Sequence, residues 1–141
     1  MQMVKDTETL NHEIRNTTDI DVYMAENEAS FSNLSFPDYL SMLLSLKSST
    51  IAEVQRRGRL TNYIYEIFNG KKTPARNSVL QLCFGFRLTI DEAQRLLRMA
   101  KVGALYAKDR RDSLLLFGLK EGIECSAVND LLDKNGMECL C

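Results

Sequence analysis

The sequence predicts an all-α fold: a five-helix domain containing a helix-turn-helix, extended by a C-terminal helical hairpin. Three observations predict it. From Phe36 to Leu132 apolar residues recur at spacings of three and four, the period of helices laid on a core. Helix-start residues such as Ser35, Thr89 and Asp109 stand before these segments, and Gly58, Gly70, Gly85, Gly122 and Gly136 stand after them. In the middle, Ser49 to Arg76 reads as two short helices joined at Gly58, with a basic loop leading into a third.

Residues 1–33 form an acidic N-terminal tail. Up to about residue 18 it is polar and without period, and disorder or loose packing is expected. Ile20, Tyr23 and Met24, with Thr18 or Asp19 as N-cap, then suggest one short helix. The first firm helix starts near Ser35, carries Phe36, Tyr39, Leu40, Leu43 and Leu44 on one face, and ends near Lys47-Ser48-Ser49.

In the helix-turn-helix, Ile51 and Val54 give the first helix its apolar face, and Gly58 is expected to end it in the left-handed conformation. Ile64, Ile67 and Phe68 turn the second helix inward on one side, which sets Asn62, Tyr65, Glu66 and Asn69 outward on the other. Side chains that donate and accept hydrogen bonds along one helix face suit the donor and acceptor code of a DNA major groove. Gly70 stops that helix, and Lys71, Lys72 and Arg76 follow where the chain would cross a phosphate backbone.

Thr73 and Pro74 have the character of an N-cap and first helical residue, opening a helix through Val79, Leu80, Cys83 and Phe84 that Gly85 closes. Thr89 and Glu92 form a capping box ahead of Ala93, Leu96, Leu97 and Ala100. Two more helices follow, Asp109 to about Lys120 and Glu124 to Asn135. They echo the previous pair at an offset of 35 residues: Arg76-Asn77-Ser78-Val79-Leu80 aligns with Arg111-Asp112-Ser113-Leu114-Leu115, and Leu96-Leu97 with Leu131-Leu132. Two copies do not make a solenoid, so the second hairpin is expected to pack on the first within one core. The organisation is therefore a tail over 1–33, a helix-turn-helix domain over 34–102, and an extension over 103–141 with a frayed end.

A chain of 141 residues is long enough for one domain with a real core, burying roughly 68–70% of its unfolded surface. Its 45% hydrophobic and 26% charged residues are ordinary for a globular protein, and no apolar run approaches membrane length. With no secretory signal at the start, a cytoplasmic protein without a membrane partner is expected. The formal net charge of −1 conceals a division. Residues 1–40 hold two cations and eight anions, residues 41–111 fourteen and five, and residues 112–141 two and six. A basic middle thus lies between two acidic ends, and a phosphate responds to local charge.

Cys83, Cys125, Cys139 and Cys141 have no zinc spacing, His12 is the only histidine, and the thiols are expected to be reduced. Cys139-Leu140-Cys141 has the character of a metal or redox pair, a frayed tail being the plainer expectation. No phosphate-binding glycine loop or nucleophile with a histidine partner is present, so no enzyme, metal or cofactor is expected. Arg95, Arg98 and Lys101 read as an exposed face paired with Asp91 or Glu92, and Arg110-Arg111-Asp112 as a helix-start ion pair.

The chain resembles XRE-type, lambda-repressor-like helix-turn-helix proteins of bacteria, in particular a group with two helices beyond the five of that fold. The resemblance rests on Tyr63-Ile64-Tyr65-Glu66-Ile67-Phe68-Asn69-Gly70-Lys71-Lys72-Thr73-Pro74-Ala75-Arg76, on Phe84-Gly85 with Asp91-Glu92-Ala93-Gln94-Arg95-Leu96-Leu97, on Leu105-Tyr106 with Arg110-Arg111-Asp112, and on Val128-Asn129-Asp130-Leu131-Leu132. It covers roughly residues 20 to 136. Two departures stand at the reading surface: two residues instead of three separate Leu60 from Tyr63, and Glu66 replaces the common glutamine.

The resemblance implies a sequence-specific double-stranded DNA-binding transcriptional regulator. Base readout would fall to Thr61, Asn62, Tyr65, Glu66 and Asn69, and phosphate contact to Thr50, Arg56, Arg59, Lys71, Lys72 and Arg76. A homodimer reaching half-sites about 34–36 Å apart is the expected assembly. The alternative is a protein-interaction module that kept the fold but lost base readout, binding its partner through the helices from Arg110 to Asn135. The acidic ends are placed to compete with DNA for the basic middle. Deleting residues 1–33 should tighten duplex binding in a low-salt titration, and an unchanged affinity would remove this competition from consideration.

Overall fold

The computed structural model describes residues 34–141. The disorder and the short helix expected before residue 33 lie outside the described residues. Within them the chain forms seven α-helices and no strand: α1 Phe36–Leu46, α2 Ile51–Gly58, α3 Tyr63–Phe68, α4 Arg76–Gly85, α5 Ile90–Met99, α6 Arg110–Glu121 and α7 Cys125–Lys134.

Local chemistry sets most of the helix starts. Ser35 Oγ accepts from the Asp38 N–H at 3.2 Å ahead of α1. Thr89 and Glu92 form the expected capping box at α5, and Thr50 and Glu53 form a second one at α2. Asp109 caps α6 by accepting from the Asp112 N–H at 2.9 Å. The start of α4 differs from expectation, because its N-cap is Ala75 and not Thr73. The Thr73 carbonyl accepts from the Tyr63 hydroxyl at 3.3 Å, and Pro74 is buried, so this pair belongs to the loop that fastens α4 to α3.

The turn after α2 also differs. Gly58 is the last residue of the helix, and the left-handed position falls to Arg59, at φ 55° and ψ 38°. Gly58 is needed for close approach instead, because a Cβ there would collide with the carbonyl oxygen of Gln81 on α4. Further along the same crossing, a Cβ on Gly85 would lie 2.5 Å from the Val54 carbonyl oxygen. Buried Gln81 uses this proximity: its Nε2 donates to the carbonyls of Gly58 at 3.3 Å and Arg59 at 3.1 Å, satisfying acceptors that the end of α2 leaves open.

One buried cluster runs through all seven helices. It includes Tyr39, Leu40 and Leu43 of α1, Val54 of α2, Ile64 and Ile67 of α3, Leu80 and Cys83 of α4 and Leu96 and Leu97 of α5. It continues into Leu115 and Leu119 of α6 and Val128 and Leu132 of α7. Residues 138–140 do not fray: Leu140 is buried and its N–H donates to Asn129 Oδ1 at 2.8 Å.

The two hairpins, α4–α5 and α6–α7, meet reciprocally. Across the boundary α4 packs on α7 and α5 on α6. Arg76 of the first copy forms a two-pronged bond to Asp112 of the second at 3.0 and 2.9 Å, while Arg111 of the second donates to Asn77 of the first at 2.9 Å. These are the positions aligned by the 35-residue offset, so the echo in sequence corresponds to the mutual contact of a two-fold relation.

Gly85→Ala is expected to lower unfolding free energy by about 1–3 kcal/mol, the usual cost of forcing atoms into a filled interior. Urea unfolding measures it, and an unchanged midpoint would mean that α2 and α4 can separate freely.

Candidate nucleic-acid interface

The surface around α3 is built by its two neighbours. Ile64 and Ile67 are buried beneath it, and Tyr63 ties it to the following loop through the Thr73 carbonyl. This leaves Thr61, Asn62, Tyr65 and Asn69 exposed, Tyr65 to 45%, with Glu66 half-buried beside them. The outward stripe expected from helical periodicity is therefore present, apart from the partial burial of Glu66.

Neighbouring groups orient both asparagines. Asn62 Oδ1 accepts from Gln55 Nε2 at 2.9 Å, and Asn69 Oδ1 accepts from the Lys71 N–H at 3.0 Å. Each amide oxygen is thus engaged, and each NH2 group is left to donate outward. Gln55 is a positioning residue that the sequence does not reveal, since it acts from the preceding helix.

The basic loop is folded back on the end of α3. Gly70 takes φ 80°, and the N–H groups of Lys71 and Lys72 donate to the Glu66 carbonyl at 2.9 and 3.2 Å. Both lysine side chains are exposed. Before α3, exposed Arg56 at the end of α2 and exposed Arg59 in the turn line an open cavity of about 620 Å³ with Ala52, Gln55, Leu60 and Cys141. Exposed cations therefore lie in the chain on either side of the helix.

Arg76 is not among them. Besides its two bonds to Asp112, it donates to the carbonyls of Gly103 at 3.3 Å and Ala104 at 3.1 Å, which commits the guanidinium to holding the hairpins together. Thr50 is exposed, but its hydroxyl serves the α2 capping box. The amide and hydroxyl of Thr50 hold the Glu53 carboxyl below its ordinary value, helped by the charges of Arg57 and Arg56. Arg57 turns away from this surface: its Nη2 donates to Ser49 Oγ at 2.8 Å, and burial, with Arg87 nearby, makes its charged form less favourable.

Other expected pairings are redistributed. Glu92 is buried and bonds Lys47, the C-cap residue of α1, at 2.9 Å. Asp112 pairs with Arg76 and not within Arg110-Arg111-Asp112. Arg111 reaches the carbonyl oxygens of Glu138 at 2.8 Å and Cys139 at 3.3 Å. Among the described residues, no group of three or more histidine, cysteine or acidic side chains is placed to hold a metal ion, and no helix is long and apolar enough to cross a membrane.

No protein-family model, curated protein or solved structure matches the chain.

Burial raises the Asp112 carboxyl, but the Arg76 hydrogen bonds, the Tyr106 amide and the charges of Arg76 and Arg111 outweigh it and hold the group below its ordinary value. A carboxyl depressed in the folded state contributes stability above its unfolded pKa and loses that contribution as pH falls through the folded one. Asp112→Asn should therefore lower stability at neutral pH and flatten its fall between about pH 5 and pH 2. Urea midpoints across that range test this, and parallel curves for both proteins would contradict it.

Proposed function

We propose that this protein is a sequence-specific double-stranded DNA-binding transcriptional regulator of the XRE, lambda-repressor-like type, with α2 and α3 as its helix-turn-helix and α3 as the helix that enters the major groove. The observation that carries the reading is the pairing of an exposed, hydrogen-bonding α3 face with exposed cations in the chain on either side of that helix. Six residues of helix span about 9 Å, and the major groove is about 12 Å wide. Arg56 and Arg59 can then meet phosphates along one rim while Lys71 and Lys72 meet the other.

The roles follow from the free valences. Asn62 and Asn69 present NH2 donors, suited to acceptors such as guanine N7 and O6. Tyr65 offers a hydroxyl and an aromatic edge. Glu66 is restricted to a donor such as the cytosine amino group. Arg76 holds the hairpins and leaves the phosphate set, and Thr50 contributes through the helix cap behind it.

A second reading, a protein-interaction module, draws support from exposed Phe117 on α6 and exposed Tyr106 just before it. The two readings separate on one experiment. Selection of bound duplexes from a random pool at moderate salt should enrich a short motif, palindromic if the protein acts as a dimer. Binding should weaken with salt at a log–log slope of roughly −4, about −0.9 for each of the four cations. Replacing Lys71 and Lys72 together by alanine should lower affinity for all sequences alike and make the slope shallower by about 2. No enrichment, with equally weak binding by both proteins, would refute the regulator reading and favour the protein-interaction one.

A further inference from the structure

One side of α6 faces the core and the other is left uncovered. Asp112, Leu115, Gly118 and Leu119 are buried, whereas Arg110, Phe117, Lys120 and Glu121 are exposed and Leu114 is half-buried. At about 3.6 residues per turn, Arg110, Leu114, Phe117 and Glu121, spaced by four, three and four, fall on one narrow stripe. Phe117 lies in the middle of that stripe with half of its surface in water, and it takes no part in the core cluster. An aromatic ring beside a leucine on an open helix face is apolar surface that the folding of one chain does not cover.

The stripe is complementary to itself. Reversed end for end about its midpoint, between Leu115 and Leu116, it brings Arg110 onto Glu121 and Leu114 onto Phe117. Two antiparallel copies of α6 related by a two-fold axis therefore make each of these contacts twice. Arg110 at the start of the helix and Glu121 at its end both stand against the helix dipole, a disadvantage that an opposite charge from a second copy offsets. Among the described residues Arg110 is held in no salt bridge, and Glu121 has only the 3.9 Å approach of exposed Lys120. Shape agrees with charge. Arg110, Ser113 and Leu114 line an open cavity of about 250 Å³ together with Lys108, Asn135 and Met137, and the reversed register sets the ring of a second copy against Leu114, at this cavity.

We propose that the α6 stripe joins two copies of this chain in an antiparallel, two-fold dimer. Phe117 of each copy sits in the other's cavity beside Leu114, and an Arg110–Glu121 pair closes each end. Apolar groups then occupy the centre of the contact and charges its rim, the usual division of a protein interface. One short helix and its flanks bury a modest area, so the dimer is a weak one in the micromolar range. The assignment does not depend on α3 reading DNA, and it gives the exposed Phe117 face to a second copy of the chain instead of to a different protein.

Sedimentation equilibrium of the full chain without DNA, from low to high micromolar concentration, tests this, with circular dichroism checking the fold of each variant. A reversible monomer–dimer equilibrium is expected. Phe117→Ser should weaken it by about thirtyfold or more, because a central aromatic anchor is lost from both copies. Arg110→Glu and Glu121→Arg should each weaken it by roughly tenfold, since either change sets like charges together at both ends. Mixing these two single variants should restore association, because a mixed dimer again pairs opposite charges at each end, and the doubly reversed chain should dimerise as the unmodified one does. A chain that stays monomeric throughout would overturn the assignment and leave the face to a different protein. A dimer indifferent to Phe117→Ser, or charge variants that fail to complement each other on mixing, would overturn it too. If Phe117→Ser fails to fold, the mixing experiment on the two exposed charges decides the matter.

Discussion

The close crossing of α2 on α4 is the constraint on which the rest of the molecule depends. Two glycines allow it, Gly58 against the Gln81 carbonyl and Gly85 against the Val54 carbonyl, so each helix contributes one residue without a side chain. Gln81 then caps the end of α2, and with the helix end fixed, Arg59 is carried into the left-handed turn that redirects the chain toward α3. Gln55 reaches from α2 to Asn62 at the start of α3. The path from a core contact to an exposed side chain is therefore short: glycine packing sets the helix end, the helix end sets the turn, and the turn sets the outward face.

Much of this was legible in the sequence, because helical period and caps are local signals. The seven segments from Phe36 to Lys134 lie within a residue or a few of the expected bounds, and the Thr89–Glu92 capping box is present as read. The errors have a common physical origin in tertiary contact. Glycine after a helix suggests a left-handed stop, yet that conformation is held after α1, α2, α4 and α5 by Ser48, Arg59, Arg87 and Lys101. Where the stop is Gly70, Gly122 or Gly136, the local reading holds. Gln81 did carry a signal, as a polar residue within the apolar run Val79 to Phe84, but what it bonds depends on which helix crosses there.

Charge was legible only as a regional balance. The excess of cations between residues 41 and 111 is a property of the sequence, whereas their division into structural and available groups is a property of packing. Lys47 is bound to Glu92 and Arg76 to Asp112, and Arg111 is taken up by an amide and two carbonyls. A paired guanidinium surrounded by acceptors cannot turn to a phosphate without leaving a buried carboxylate alone, which costs far more than one exposed contact returns. Among the described residues, the cations left exposed around α3 are held in no salt bridge.

The duplicated hairpin explains why Arg76 was misleading. In sequence it follows Lys71 and Lys72 and reads as the third member of a basic loop. In the fold it is the first residue of a repeat, equivalent to Arg111, and both arginines reach across to the other copy. The 35-residue offset was therefore the stronger clue to its role, since two hairpins of similar sequence packed face to face must satisfy the same positions against each other. Arg111 extends that logic by also gripping the backbone of residues 138 and 139, which brings Cys139 and Cys141 to Asn129. The arginine that closes the pseudo-symmetric contact thereby fixes the C-terminal segment as well, so the junction of the two hairpins and the residues that follow them share one anchor.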